Sequence, residues 1–364
     1  MTGSGRYRPV RFAALSSGQI TQGRYARVSE KQKIENRGNA MKRRSLLVAA
    51  LAAPSIVPAV ALGQGSWPNK TVKFICPFAP GGGTDTVSRL MCDALSKTFG
   101  QTFVVDNKGG AGGNIGTVEL ARAAPDGYTL GLISVASHTL NPMLYSRLPY
   151  NPDKDIVAVS RVAILANLLG VTNSLPANNV AELIALCKKE PGKYSFASSG
   201  PGTSLHLSGE LFKKLAGVDI IHVPYKGAGP VYSDLMAGVV NMMFANMPSM
   251  LPQVRGGKLK GLGVTSAQRS RAAPDIPAIA ETVPGYVATS WYGIGAPAGT
   301  PEPILARLET AIAEALKSAD IQKRWNDDLG LDLPPPGRAG FDKFLAEDRK
   351  LWEPAVKASG VKLD

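Results

Sequence analysis

The sequence has 364 residues, 44% of them hydrophobic and 19% charged, enough for one large domain or two ordinary ones with real cores. A net charge of +13 would point to nucleic acid if it were spread evenly, but residues 1–44 hold eleven Lys/Arg against two Glu, leaving +4 over the remaining 320 residues. With aromatics at 7% as well, no basic stripe for a phosphate backbone is evident, and no nucleic-acid partner is expected.

Residues 1–40 carry no periodic apolar pattern and read as a disordered, over-extended start. From Met41 the chain runs "MKRRSLLVAALAAPSIVPAVALGQG", with Lys42, Arg43 and Arg44 as a positive segment and Leu46 to Leu62 as an apolar one. Pro54 and Pro58 break that run, and Ala59-Val60-Ala61 is a small-x-small cleavage site. Residues 41–61 are therefore a signal peptide, too short and too broken for a membrane span. Arg43-Arg44 raises twin-arginine export, but Lys42 stands where Ser or Thr is usual, so ordinary secretion fits as well. The mature protein is expected to begin near Leu62 and to be periplasmic.

Short β-rich runs then alternate with helical patterns. Strands are expected at 71–76, 102–106, 129–134, 194–197, 220–223, 241–244 and 261–264. The helix 84–99 puts Val87, Leu90, Met91, Ala94 and Leu95 on one face, with Thr84 or Asp85 as its cap. Other helices fit 114–123, 179–189, 203–216 and 302–318. The alternation predicts an α/β fold with mostly parallel sheets flanked by helices. "FICPFAPGGGTDTVSRLM" is echoed about 120 residues later by "YSFASSGPGTSLHLSGELF". Each reads strand, small-residue loop, helix, so two similar domains sharing a cleft are expected. Cys76, Cys92 and Cys187 read as buried free thiols, although a bridge between the first two is geometrically conceivable.

The glycine loops do not fit nucleotides. GxxxxGK[ST] is absent, and neither "GGGTDT" from Gly81 nor "GAGGNI" from Gly110 completes GxGxxG. A helix N-terminus stabilises any anion, a carboxylate included. The alternative for Gly81 to Gly83 is a plain tight corner, but three consecutive glycines, echoed at 109–113, favour ligand contact. There is no GxSxG elbow, no metal-ligand spacing, and no pair of carboxylates beside either loop. His206 and Glu210, four apart on a helix, read as a structural pair, and His222 as a strand residue with a satisfied ring. His138 follows a strand end and either reaches the cleft or stays in the core. Anion capture without a nucleophile means a binder, with no catalytic residue, metal or cofactor.

The motifs "PFAPGGGTD", "GGAGGNIG", "ARAAPDGYTL", "SHTLNP", "LPYNPDKD", "HVPYKGAGP", "MPSMLP" and "SWYGIGAPAGTP" resemble the Bug family, over essentially everything from Trp67 onward. These are extracytoplasmic substrate-binding proteins of tripartite tricarboxylate transporters. The resemblance implies a monomeric two-lobed flytrap, 62–166 with 288–364 as domain 1 and 167–287 as domain 2, with hinge crossings near 166 and 287. It implies a small carboxylate ligand: citrate-like acids, dicarboxylates, acidic amino acids, nicotinate or aromatic acids. The partners would be the transporter's membrane subunits. Carried over by motif, the first lobe's contacts are Phe78, Ala79, Gly82, Gly83, Thr84, Gly112, Gly113, Asn114, Ser137 and His138. The second lobe supplies Ser198, Ser199, Gly202, Thr203, Ser204, Tyr225 and Lys226, the last either a carboxylate partner or a solvated charge. Two departures stand out: Ala245 in "MFANMPS" replaces a frequent Asp, arguing against an ammonium-bearing ligand, and Cys76 replaces a β-branched residue. A signalling solute sensor and a secreted hydrolase are the rival readings.

Overall fold

The computed structural model describes residues 67–364, so the expected start and signal peptide lie outside the described residues. In chain order the main elements are β1 (Val72–Cys76), α1 (Gly83–Phe99), β2 (Phe103–Asn107), α2 (Asn114–Ala121), β3 (Thr129–Ser134), β4 (Ile156–Val171), α3 (Val180–Lys189) and β5 (Ser195–Ser198). There follow α4 (Ser204–Ala216), β6 (Ile221–Pro224), α5 (Val231–Ala237), β7 (Met242–Asn246), α6 (Met247–Arg255), β8 (Lys260–Val264), β9 (Thr289–Pro297), α7 (Glu302–Lys317), β10 (Leu331–Asp332) and α8 (Phe341–Ser359). Among the described residues no helix is long and apolar enough to cross a membrane.

The strand order is β2-β1-β3-β9-β4-β7-β5-β6, with β8 and β10 also paired to β4. At one end β2, β1 and β3 run parallel, and at the other β7, β5 and β6 do so. Each parallel wing follows from the strand–helix alternation, because a parallel neighbour needs a crossover. The two wings are joined by β4 and β9, which run antiparallel and escaped the sequence reading. β4 is sixteen residues of nearly unbroken apolar sequence, without the period-2 signal of a half-buried strand. It changes partner part-way. Residues Ile156 to Ala166 pair with β9, and from Asn167 onward they pair with β7, with β8 on Leu168 to Val171.

The apolar face of α1 (Val87, Met91, Leu95) packs with Leu305, Leu308 and Ile312 of α7 over Phe74 and Leu132. In the second wing Leu207, Leu211 and Phe212 of α4 cover Phe196 and Phe244. The C-terminal helix α8 spans both wings: it packs on α4, while Asp348 accepts hydrogen bonds from Trp291 Nε1 (2.8 Å) and Thr139. Arg349 adds bonds to the His138 carbonyl (2.9 and 3.0 Å) and an ion pair with Asp153 (2.6 Å).

Gly209 lets α4 lie on β5, because a Cβ there would stand 2.1 Å from the Phe196 ring. Replacing a helical glycine by alanine normally gains about 1 kcal/mol. Here the overlap with an immobile ring dominates, and Gly209→Ala is expected to destabilise by about 1–3 kcal/mol. A urea midpoint equal to or above wild type contradicts that packing.

Candidate functional site

Two strand–loop–helix units converge on one small cavity. β1 feeds α1 and contributes Phe78, Gly83 and Thr84; β5 feeds α4 and contributes Ser199, Thr203, Ser204 and Leu205. The end of β3 adds Ser134, Val135 and Ala136, and β9 adds Ser290 and Tyr292. Ala228 and Asn246, from the second wing, close the wall. The volume is about 20 Å³, room for about one water.

Donors dominate this wall. The N-cap of α1 is Gly82, which offers no side chain, and the amides of Gly83, Thr84 and Asp85 have no acceptor among the described residues. At α4 the Thr203 Oγ1 accepts from the His206 amide, leaving the Ser204 and Leu205 amides without an acceptor among the described residues. Each helix therefore ends in uncapped N–H groups and the positive end of its dipole. No Asp, Glu, Lys, Arg or His lines the cavity. The Tyr292 hydroxyl is buried and has no partner among the described residues, and burial raises its pKa well above the usual value. Asn246 Nδ2 donates to Asn167 Oδ1 (2.7 Å), which leaves Asn246 Oδ1 free on the cavity side. Asp85 faces away: its carboxylate accepts from the Gly81 amide (3.1 Å), Arg89 (3.0 Å) and Asn107 (3.0 Å). Burial raises the Asp85 pKa, but those three bonds outweigh it and hold the group below the usual carboxylate range.

Residues 87–361 match the family model described as the tripartite tricarboxylate transporter family receptor. The chain belongs to this receptor family. It is 36% identical to the protein BugT of Bordetella pertussis, over 87% of this chain and 96% of the relative. Its fold matches an R. palustris protein solved with adipate (TM-score 0.79, 36% identity, 81% of this chain and 99% of that one). It also matches MatC from Rhodopseudomonas palustris with bound malate (TM-score 0.75, 34% identity, 79% and 99%). The two-lobed α/β receptor fold expected from the sequence is the one found.

Within this receptor, the structure divides the residues named from the motifs. Phe78, Gly83, Thr84, Ser199, Thr203 and Ser204 line the cavity. Ala79, Gly82, Gly112 and Gly202 do not; they sit where loops of the two wings touch. A Cβ on Gly112, whose φ is +62°, would stand 2.2 Å from the Pro201 carbonyl oxygen, and one on Gly202 would stand 2.5 Å from Asn141 Oδ1. Ala79 abuts Gly227, Gly82 abuts Ala228, and Gly113 abuts the Phe78 ring. Gly112 serves close approach of backbone to backbone, whereas Gly82, Gly113 and Gly202 leave room for a neighbouring side chain.

The remaining named side chains are occupied elsewhere. Asn114 Oδ1 accepts from Asn141 (2.7 Å), and the Ser137 hydroxyl bonds the Ser134 carbonyl (3.1 Å). His138 is 1% exposed, with Nδ1 2.9 Å from Ser137 Oγ and its ring edge-on to Trp291, so it belongs to the core. Ser198 Oγ pairs with His222 Nε2 (2.7 Å), Tyr225 donates to Asp234 (2.6 Å), and Lys226 is exposed. Neither Thr84 nor Asp85 caps α1, because Gly82 holds the N-cap position. His206 and Glu210 are 3.9 Å apart, too far for a hydrogen bond. Ala245 is fully buried beside Leu168 and Met243 and does not face the cavity, so its loss of an acid says nothing about the ligand. Its neighbour Asn246 does, as strand alternation requires. Ser134, Val135, Ala136, Leu205, Ala228, Asn246, Ser290 and Tyr292 line the cavity without having been expected to; "HVPYKGAGP" holds Ala228, "SWYGIGAPAGTP" holds Ser290 and Tyr292, the echo at 194–212 holds Leu205, "MFANMPS" holds Asn246, and "SHTLNP" follows directly on Ser134 to Ala136.

Burial pushes His138 down to about 3, and burial with the nearby His222 and Lys213 pushes His206 down to about 3. Both folded values lie below the ordinary 6.5, so the unfolded chain takes up protons first as pH falls. Stability is complete above about 6.5 and falls below it, by up to about 1.4 kcal/mol per pH unit for each of these two histidines. Urea midpoints at pH 7, 6 and 5 should decrease in that order; a flat series contradicts buried neutral imidazoles. Thr203→Ala removes the cap of α4 and should cost about 1 kcal/mol in the same assay.

Proposed function

We propose that this protein captures a small organic carboxylate between two lobes in the periplasm and passes it, chemically unchanged, to the membrane subunits of a tripartite tricarboxylate transporter. Export through the signal peptide of residues 41–61 places a monomer there. One observation carries the reading: uncapped amides from two helix N-termini share a cavity with no acidic or basic side chain. Such a wall offers donors to an anion and no repelling charge. It also offers no chemistry, since its serine hydroxyls have no lining histidine or carboxylate to activate them.

Each dipole end contributes about 0.3–1 kcal/mol, up to ~2 when partly buried. A hydrogen bond to a charged group adds roughly 1.5–3 kcal/mol. Three or four such bonds, less ordering and association costs, reach about −8 kcal/mol, a micromolar affinity. A cavity of about 20 Å³ is smaller than any of these acids. Entry therefore requires the lobes, 62–166 with 288–364 and 167–287, to part at crossings near 166 and 287, and the bound acid draws them together. The adipate and malate found in two similar receptors fit this ligand class.

Thermal unfolding against a panel of mono-, di- and tricarboxylates should reveal a ligand that stabilises by about 2.7 kcal/mol at 100-fold excess over its dissociation constant. Gly83→Ala puts a methyl 2.7 Å from Asn246 Cβ and 3.2 Å from the Tyr292 hydroxyl. It should weaken binding at least tenfold by calorimetry while the protein stays folded. A panel with no stabilising acid, or an unchanged affinity in the variant, removes the proposal.

A further inference from the structure

The cavity holds one pair of polar groups that a carboxylate alone does not satisfy. Tyr292 lies on β9 opposite Ser134 of β3 and Ala163 of β4, in the strand layer that joins the wings. Its hydroxyl is 3.2 Å from the point a Gly83 Cβ would occupy, and Asn246 Oδ1 is 3.3 Å from the same point. Both therefore stand beside the first residue of α1. The side chain of Tyr292 is 2% exposed, and its hydroxyl has no hydrogen-bond partner among the described residues. Buried polar groups are normally paired, so an orphan hydroxyl on a residue of the cavity wall calls for an explanation. The orientation of Asn246 is set by a relay, Asn246 Nδ2 to Asn167 Oδ1 (2.7 Å) and Asn167 Nδ2 to Ser208 Oγ (3.0 Å), so its oxygen is the atom turned to the cavity.

A carboxylate only accepts hydrogen bonds. It suits the free amides of α1, but it has nothing to give Asn246 Oδ1. A keto oxygen fails for the same reason. An ammonium could donate to Asn246, yet no carboxylate lines the cavity to balance its charge. An alcohol accepts one hydrogen bond and donates another. We propose that Tyr292 and Asn246 form a hydroxyl-reading pair that selects 2-hydroxycarboxylates over their deoxy counterparts. With the carboxylate on the amides of Gly83 and Thr84, its 2-hydroxyl accepts from Tyr292 and donates to Asn246 Oδ1. This rests on the carboxylate-receptor reading above and refines it, because sites built to bond a substrate hydroxyl reject the analogue lacking it.

The test uses acids matched in skeleton: malate against succinate, 2-hydroxyglutarate against glutarate, lactate against propionate, and citrate against tricarballylate. Calorimetry on the wild-type mature protein should show at least a tenfold preference for the hydroxy member of whichever pair binds. Tyr292→Phe should cut that ratio to threefold or less while leaving the deoxy acid's affinity within about threefold. A structural role for the hydroxyl would lower the melting temperature of the ligand-free variant, whereas removal of an unpartnered group leaves it equal or higher. Equal binding of hydroxy and deoxy members by wild type, a ratio unchanged in the variant, or a lower melting temperature overturns the hydroxyl assignment and leaves carboxylate capture standing. No binding by any acid overturns both.

Discussion

Two helix N-termini aimed at one point across a water-sized cavity carry like partial charges, and nothing charged in the wall offsets them. The fold has to impose that arrangement. It does so through β4 and β9, whose long antiparallel pairing fixes both wings in one sheet, and through glycines that let the loop before α1 meet the loop before α5 (Gly229 on the Pro80 carbonyl) and the loop before α2 meet the loop before α4 (Gly112 on the Pro201 carbonyl) backbone to backbone. Asp85 has a supporting part. Its carboxylate is spent on Gly81, Arg89 and Asn107, so it shapes the loop without facing the cavity.

The helices were legible from their period-3.6 apolar faces, and the wing strands as short β-rich runs set between turns and helices. The strands at 129–134 and the helices at 179–189 and 203–216 came out within a residue of their observed bounds. The joining strands were not legible. β4 is buried on both faces along most of its length, so it reads as an unpunctuated apolar run, and β9 is broken by glycines at 293 and 295. α8 was also missed, with Pro354 inside it and several charged residues along its exposed face.

Six of the fourteen residues lining the candidate site were legible for a related reason. Glycine- and serine-rich loops mark the helix entries directly, hence Gly83, Thr84, Ser199, Thr203 and Ser204. The same composition also marks loops that must touch, and sequence cannot separate Gly112, which meets Pro201, from Gly83, which faces the cavity. Side chains that reach the cavity from strands carry no local signature. Ala245 and Asn246 differ by one step of the pleat, and only the pairing Asn167 to Asn246 decides which faces inward.

The neutral wall has a consequence for when such a protein takes up cargo. No Asp, Glu or His lines the cavity, so for the carboxylate cargo proposed here the protonation state of the acid itself would govern recognition. Once protonated, a carboxyl loses its charge and gains an O–H that points at a row of N–H groups already donating. For a carboxylate cargo of the kind proposed, an acidifying medium would thus weaken the match through the cargo's own ionisation, with no Asp, Glu or His in the cavity wall to change charge alongside it.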